Sequence, residues 1–467
     1  MSSDQTSISP AGLSAATDAS GSRGGQIKAP PPSLYAWYVA FILMLTYALS
    51  GLDRKLPYIL VESIKKDLHL SDTQVGLLTG PVFALVYATM GIPVAALLDR
   101  RNRKKILGWA ILIWSALTAL GGFANGFWHL ALCRVGVAAG EATCSPGAHS
   151  LIGDYFSPQF RARALSLYVV GSPFGMLLGL VLGGWVNELA DWRLAMILLG
   201  LPGVILALVI LFTVKEPERT KSAAPQVTLS ETDHKAPSVN QAAKIIMGQP
   251  VVAHLFIGST FLMLTLSSVQ AFGPAFIIRK FGLGTAAIGI TYGLALGGAG
   301  ILGAALGGFI GDHIRKTSPW KAIAFVGLGL GLTAPVLAAC FMTQSYALFL
   351  GLLFVSHLII FMNSAPVFAT VQSLLGPRLY AMAAAFYLLG CNGIGLSVGP
   401  LLTGVVSDAL KASGHPNPLG LALTLVTLVQ LLAAGHFAFA AVKLRTADAA
   451  RSNERDLGLS CRSESRG

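Results

Sequence analysis

Runs of about twenty apolar residues recur from Leu34 to Lys443 with short polar breaks between them, and they leave few folds open. A helix needs about 20 such residues to cross a bilayer. Within lipid only a helix or a closed barrel satisfies every backbone polar group. Only 12% of the chain is charged and its mean hydropathy is +0.67, whereas soluble domains carry about 25% charged residues. The sequence predicts an all-α membrane protein with twelve transmembrane helices, near 34–60, 74–98, 104–124, 128–152, 163–188, 193–214, 250–279, 285–311, 321–342, 345–375, 380–409 and 418–443.

The net charge of +12 would suggest a nucleic-acid partner in a soluble protein. Here no polar segment is large enough to bind one, and the bases sit where topology needs them. Arg100, Arg101, Arg103, Lys104 and Lys105 follow the second span, Arg161 and Arg163 the fourth, and Arg315, Lys316 and Lys321 the eighth. The alternate loops FANGFW (123–128) and FMTQSY (341–346) carry no base, which predicts cytoplasmic termini by the positive-inside rule. Five cysteines without paired spacing indicate neither a disulfide framework nor a metal site, and no cofactor motif is present. Polar residues ahead of a long first apolar run make a cleavable leader unexpected, the first span serving as its own signal. Short loops and the absence of an N-x-Ser/Thr sequon favour a bacterial inner membrane, with a monomer among membrane lipids as the expected state.

The chain also repeats itself. AALLDRRNRKK (95–105) after the second span is echoed by GGFIGDHIRK (307–316) after the eighth. Gly171, Gly175, Gly179, Gly183 and Gly184 in the fifth span are echoed by Gly395, Gly399 and Gly404 in the eleventh, and Glu188 and Asp408 each follow the last glycine by four positions. The expected organisation is a tail (1–33), a six-helix bundle (34–214), a polar linker (215–249), a second six-helix bundle (250–443) and a tail (444–467). Such pseudo-symmetric halves place a substrate site near the midplane between them. The glycine ladders, including Gly303, Gly307 and Gly311 in the eighth span, permit close helix approach, either as plain packing or as a surface on which the halves slide.

Charges interrupt the first span at LSGLDRKLPYIL (49–60). One unpaired charge at the bilayer centre costs about 2.5–3.5 kcal/mol. Asp53, Arg54, Arg134 and Glu141 fall at similar depths on antiparallel first and fourth spans, so two acids and two bases can meet. They form either a coupling and binding cluster or a static lock between two helices. Lys55 is expected to point outward and snorkel, and Pro57 to bend the end of the helix. In the second half the embedded polar groups are sparse: Gln270, His357, Asn363, Asn392 and His436, amid Phe261, Phe276, Phe361 and Phe368. A cavity ionic on one side and apolar on the other suits an amphiphile with an anionic head.

These landmarks resemble the major facilitator superfamily from Leu34 to Lys443. Asp99, Arg100, Arg103 and Lys104 match its motif after the second span, with Ala95 and Asn102 replacing glycines, and Gly308 and Asp312 keep the second copy. The Asp-Arg pair of the first span, with CRVGVAAGEATCSPGAHSLIGDYF (133–156), is most similar to the Spinster group of lipid transporters. The resemblance implies the major facilitator fold and alternating access. It implies proton coupling at Asp53 and Glu141, an anionic substrate against Arg54 and Arg134, and a cytoplasmic latch built from Asp99, Arg100, Arg103, Asp154, Arg161 and Asp312. The Gly-Pro pair common in the fifth span of its antiporters is missing, since Leu180 follows Gly179; it stands instead at Gly399-Pro400.

Competing readings are a proton-coupled carrier of small organic anions, sugars or drugs, an uncoupled facilitator, a channel, and a membrane acyltransferase using the H-x-x-x-x-D pair His149 and Asp154. No glycine-rich nucleotide loop follows a strand, so an ATP-driven pump is not indicated.

Overall fold

The computed structural model describes residues 31–217, 239–375 and 379–456, except for the side chains at 239, 312, 315–317, 364, 365, 380, 381 and 451–456. Most of the expected linker and of the N-terminal tail lie outside these residues, as do 457–467 and the side chain of Asp312, while 444–456 of the expected C-terminal tail continue the last helix. Among the described residues the elements are helical, and eleven helices are long and apolar enough to cross a membrane.

The first bundle holds α1 (Leu34–Asp67), α2 (Asp72–Arg100), α3 (Arg103–Gly121), α4 (127–155), α5 (Pro158–Leu189) and α6 (Trp192–Thr213). The second holds α7 (Pro250–Phe281), α8 (Thr285–Thr317), α9 (Pro319–Met342), α10 (Tyr346–Leu374), α11 (380–412) and α12 (418–456), preceded by a short helix, Val239–Gly248. The expected fourth span is the one that misses the length requirement, because α4 is broken into Phe127–Glu141 and Cys144–Tyr155. Its counterpart α10 breaks likewise between Phe361 and Ser364, where the Asn363 side-chain amide donates to the Ile360 carbonyl. Large apolar side chains such as Ile92, Phe212 and Phe309 are exposed on the outside, as a surface solvated by lipid allows.

Two sequence expectations change here. The first helix runs through Pro57 to Asp67, seven residues beyond the expected end, because Glu62, Lys65 and Asp67 find protein partners rather than water. Gly171, Gly175 and Gly179 of α5 and Gly303, Gly307 and Gly311 of α8 pack within a bundle, whereas Gly184 at the end of the α5 ladder lies on the surface between bundles. A Cβ at Gly175 would stand 1.7 Å from the Ala48 carbonyl oxygen of α1, and one at Gly307 would stand 2.4 Å from that of Met362 in α10. These positions fix helix pairs at backbone contact.

The bundles meet along α1–α7, α2–α11 and α5–α8. A Cβ would collide across that seam at Gly76 (Pro400), Gly184 (Thr285), Gly289 (Leu180) and Gly404 (Asp72). Gly297, two turns further along α8, meets nothing within 4 Å. The bundles are therefore closed at the face carrying the α1–α2 and α7–α8 turns and separate between α5 and α8 toward the face carrying the linker.

Candidate functional site

Fourteen residues, about 21 Å of helix, separate Asp53 from the end of α1, and fourteen separate Glu141 from the start of α4. The longer α1 thus brings both acids to one level, deeper than its expected end implied. There the Glu141 carboxylate, fully buried, accepts from Arg54 Nε at 2.9 Å and from the Ser50 hydroxyl at 2.8 Å. Arg54 keeps 27% of its side chain exposed and lies over the rings of Tyr87 (4.3 Å) and Phe83 (5.5 Å).

The other two charges do not pair with each other through their side chains. Arg134 Nη1 donates to the backbone carbonyl of Asp53 at 3.2 Å, and its guanidinium stacks 4.6 Å from Phe83. Asp53 is 3% exposed, and its Oδ1 has no hydrogen-bond partner among the described residues. A carboxylate buried without a cation is expensive, and protonation removes that expense. The structure therefore holds one tight pair, Arg54–Glu141, beside an acid with no ion-pair partner among the described residues.

Lys55 does not snorkel. It is 8% exposed, donates to Gln270 Oε1 of α7, and its ammonium lies 4.5 Å from the Tyr58 ring centroid. One residue advances a helix by about 100°, so Lys55 leaves the α4-facing side of Arg54 and turns toward the second bundle. Both Lys55 and Gln270 line a cavity of about 350 Å³ walled by α5, α8 and Phe361 of α10.

His357, Asn363, Asn392 and His436 are not among the residues lining that cavity. His357 is fully buried with Nδ1 3.0 Å from the Leu353 carbonyl, Asn363 closes the α10 break, and Asn392 is half-buried in a π-helical turn of α11 (Leu389–Gly395). His436 meets His254 (Nδ1 to Nδ1, 2.7 Å), so it is not solitary. Phe276 belongs to a buried aromatic cluster with Phe341 and Phe349 instead of lining the cavity. Phe368 is exposed, and Phe261 stacks on His436.

A second constellation, missed from sequence, closes the face opposite the linker. Asp72 is 1% exposed and accepts from Arg279 of α7 (Nη2, 2.8 Å; Nη1, 3.0 Å), from Ser407 of α11 (2.6 Å) and from Lys65. Arg279 Nε also reaches Glu62 at 2.8 Å. Beside this network Asp408 accepts from the backbone N–H groups of Asp72 (3.0 Å) and Thr73 (2.8 Å), the first residues of α2. Across the seam Glu188 accepts from the N–H of Ala286 (2.7 Å), in the first turn of α8. Each bundle thus supplies a carboxylate that caps a helix N-terminus of the other, where the helix dipole favours negative charge. The matched spacing of Glu188 and Asp408 after their glycines was the available signal.

On the linker face, Arg103 is buried and bonds to Glu216 (Nε–Oε1, 2.8 Å), Asp154 and Ser150 (2.9 Å). Lys104 N–H adds a bond to Glu216 at 2.8 Å. Arg161 donates to the Phe156 carbonyl at 3.0 Å, capping α4, and Asp99 and Arg100 are exposed. Asp154 is held by Arg103, and His149 Nδ1 lies 2.7 Å from the Ser145 carbonyl, so the spaced pair of an acyltransferase is not assembled.

The sequence profile of the Major Facilitator Superfamily matches residues 43–400. An MFS-type efflux pump of Mycolicibacterium smegmatis is 34% identical over 415 residues, covering 88% of this chain and 94% of that protein. Protein spinster homolog 1 of Homo sapiens is 27% identical over 402 residues, covering 81% of this chain and 74% of its own. Among solved structures, a bacterial homologue of the human lysosomal transporter Spinster, in an inward-facing and unoccupied conformation, superposes with a TM-score of 0.79 at 27% identity, covering 89% of this chain and 99% of that one.

Proposed function

The chain belongs to the major facilitator superfamily, and from that premise we propose a secondary active transporter that moves an amphiphilic, anionic, lipid-like substrate by alternating access coupled to protons. The observation that carries this reading is the Arg54–Glu141 pair, in which the Arg54 side chain keeps 27% of its surface exposed, beside Asp53, which has no ion-pair partner among the described residues. An anion that reaches Arg54 competes with Glu141 for it. The displaced carboxylate is left in buried surroundings, where binding a proton is the cheapest outcome. Asp53 supplies a second proton site one residue away, and Arg134 holds the Asp53 backbone in place. The similarity to Spinster proteins supports the lipid-like substrate.

In this reading the bundles 34–214 and 250–443 rock about the site, with 215–249 as their tether. The linker face is cytoplasmic in a bacterial inner membrane, and the structure corresponds to a state open to that side. Asp99, Arg100, Arg103, Asp154, Arg161 and Asp312 form the latch of the opposite state, and the monomer is the working unit. The similarity to the M. smegmatis efflux pump favours a second reading, a carrier of small organic anions or drugs.

Liposomes containing a pH-sensitive dye test the proposal. Lysophosphatidylglycerol added to wild type should move protons, and Asp53→Asn and Glu141→Gln should abolish that flux. Arg54→Ala should remove substrate dependence. Equal substrate movement in all four proteins without proton flux would reduce the cluster to a static lock and leave a facilitator.

A further inference from the structure

The two acids and two bases already described leave Lys55 over, so the membrane-embedded cluster holds three bases, Arg54, Lys55 and Arg134, against Asp53 and Glu141. No carboxylate among the described residues lies within ion-pair distance of the Lys55 ammonium, although the residue is 8% exposed. Its described polar partner is Gln270 Oε1. An ammonium has three donors and no acceptor, and an amide has one acceptor oxygen and two donor hydrogens. With the Gln270 oxygen engaged by Lys55, the polar groups these two residues offer to the cavity are mainly donors: the remaining ammonium hydrogens and the Gln270 amide NH₂. The Tyr292 hydroxyl, on the same wall, already donates to the Val269 carbonyl at 2.7 Å. Beyond these three residues the lining is apolar, from Leu177 and Leu180 on α5 to Leu296 and Ile301 on α8. The cavity volume of about 350 Å³ lies within the range of small-molecule sites, about 300–1,000 Å³.

We infer that Lys55 and Gln270 anchor the head of a singly charged anion whose apolar body lies in the cavity between α5 and α8. The inference rests on the transporter reading and divides its labour: selection at Lys55–Gln270, coupling one residue away at Arg54–Glu141. The Lys55 ammonium disfavours cationic heads by like-charge repulsion in a poorly solvated site. The apolar walls exclude a second charge at the far end of the molecule, which would be buried without a partner. A single-chain carboxylate or sulfonate meets both conditions.

Photolabelling of the purified full chain in lipid nanodiscs tests this without requiring transport. With a diazirine-bearing dodecanoate as probe, label should fall on peptides of α5 and α8. Dodecanoate should compete for it, and dodecyltrimethylammonium and dodecanedioate should not. Lys55→Met should weaken labelling at least about tenfold, the loss expected for a charge-assisted hydrogen bond, while Lys55→Arg stays within about twofold. Gly297→Leu, whose side chain enters open space and leaves Lys55 untouched, should abolish labelling by filling the cavity, and it decides the matter if Lys55→Met does not fold. Undiminished labelling in Lys55→Met or Gly297→Leu, or equal competition by the cation, overturns the inference. Asp53→Asn should label like wild type, so failure of proton coupling and failure of this site give different patterns.

Discussion

The two faces of the helix stack are held by different kinds of contact. Opposite the linker, Asp72, Arg279, Asp408 and Glu188 join one bundle to the other. On the linker face, the Arg103 pair with Asp154 joins elements of the first bundle and the pair with Glu216 ties that bundle to the start of the linker. Bonds of the first kind must break whenever the bundles rock apart at that end, and bonds of the second kind survive rocking. If the bundles rock as proposed, the work of switching falls on carboxylates that cap a neighbour's helix, while Arg103 keeps one body rigid.

Breaking the larger network should have the largest effect. Asp72→Ala takes a buried acceptor from Lys65 and Ser407 and leaves Arg279 with Glu62, and removing one partner of a buried pair costs about 3–5 kcal/mol. The closed face should open, so that a Leu78→Cys reporter, buried in the parent protein, reacts with a water-soluble maleimide. An unreactive reporter would mean that apolar packing alone holds this face. Arg103→Gln removes two ion pairs from a buried site and should destabilise the purified protein by about 2–4 kcal/mol, seen as a lower Tm. Reporter reactivity should stay at the parent level; a rise would erase the distinction between the faces.

Glu188→Gln and Asp408→Asn each weaken one cap by about 1 kcal/mol. The sites lie on different seams and share no partner, so the double variant should show the sum in reporter reactivity. Clearly unequal single effects would show that the two-fold relation of the halves is broken at the gate. Arg161→Ala should be the mildest, within about 0.5 kcal/mol by Tm, since the residue donates to one carbonyl at a helix end.

Much of this was legible in the residues. Apolar run length marked the spans, and recurrence of glycine followed four positions later by an acid marked Glu188 and Asp408 as equivalents. Charges inside spans drew attention to Asp53, Arg54, Arg134 and Glu141. Pairing was not legible. Hydropathy separates lipid from water but does not distinguish lipid from a second bundle, so Glu62, Asp72 and Arg279 read as charges at the water boundary. For the same reason Lys55 read as snorkelling outward, because its partner Gln270 lies 215 positions away. The α4 break after Glu141 was also invisible, since Ala142 and Thr143 carry no glycine or proline signal.

The π-helical turn Leu389–Gly395 makes the length of α11 as important as its composition. Such a turn is an α-helix with one residue too many, and everything beyond it is turned back by about 100° and set back by about 1.5 Å relative to an uninterrupted helix of the same sequence. Asp408 faces α2 in that rotated phase. A chain one residue shorter at this turn could close it into plain α-helix and keep the acid aimed at α2, whereas the full-length chain with the turn relaxed to α-helix would swing Asp408 by about 100° and the same cysteine reporter would react. Across α11, therefore, the place of a one-residue gap in an alignment decides its weight: inside the turn it is absorbed, beyond the turn it re-aims Asp408.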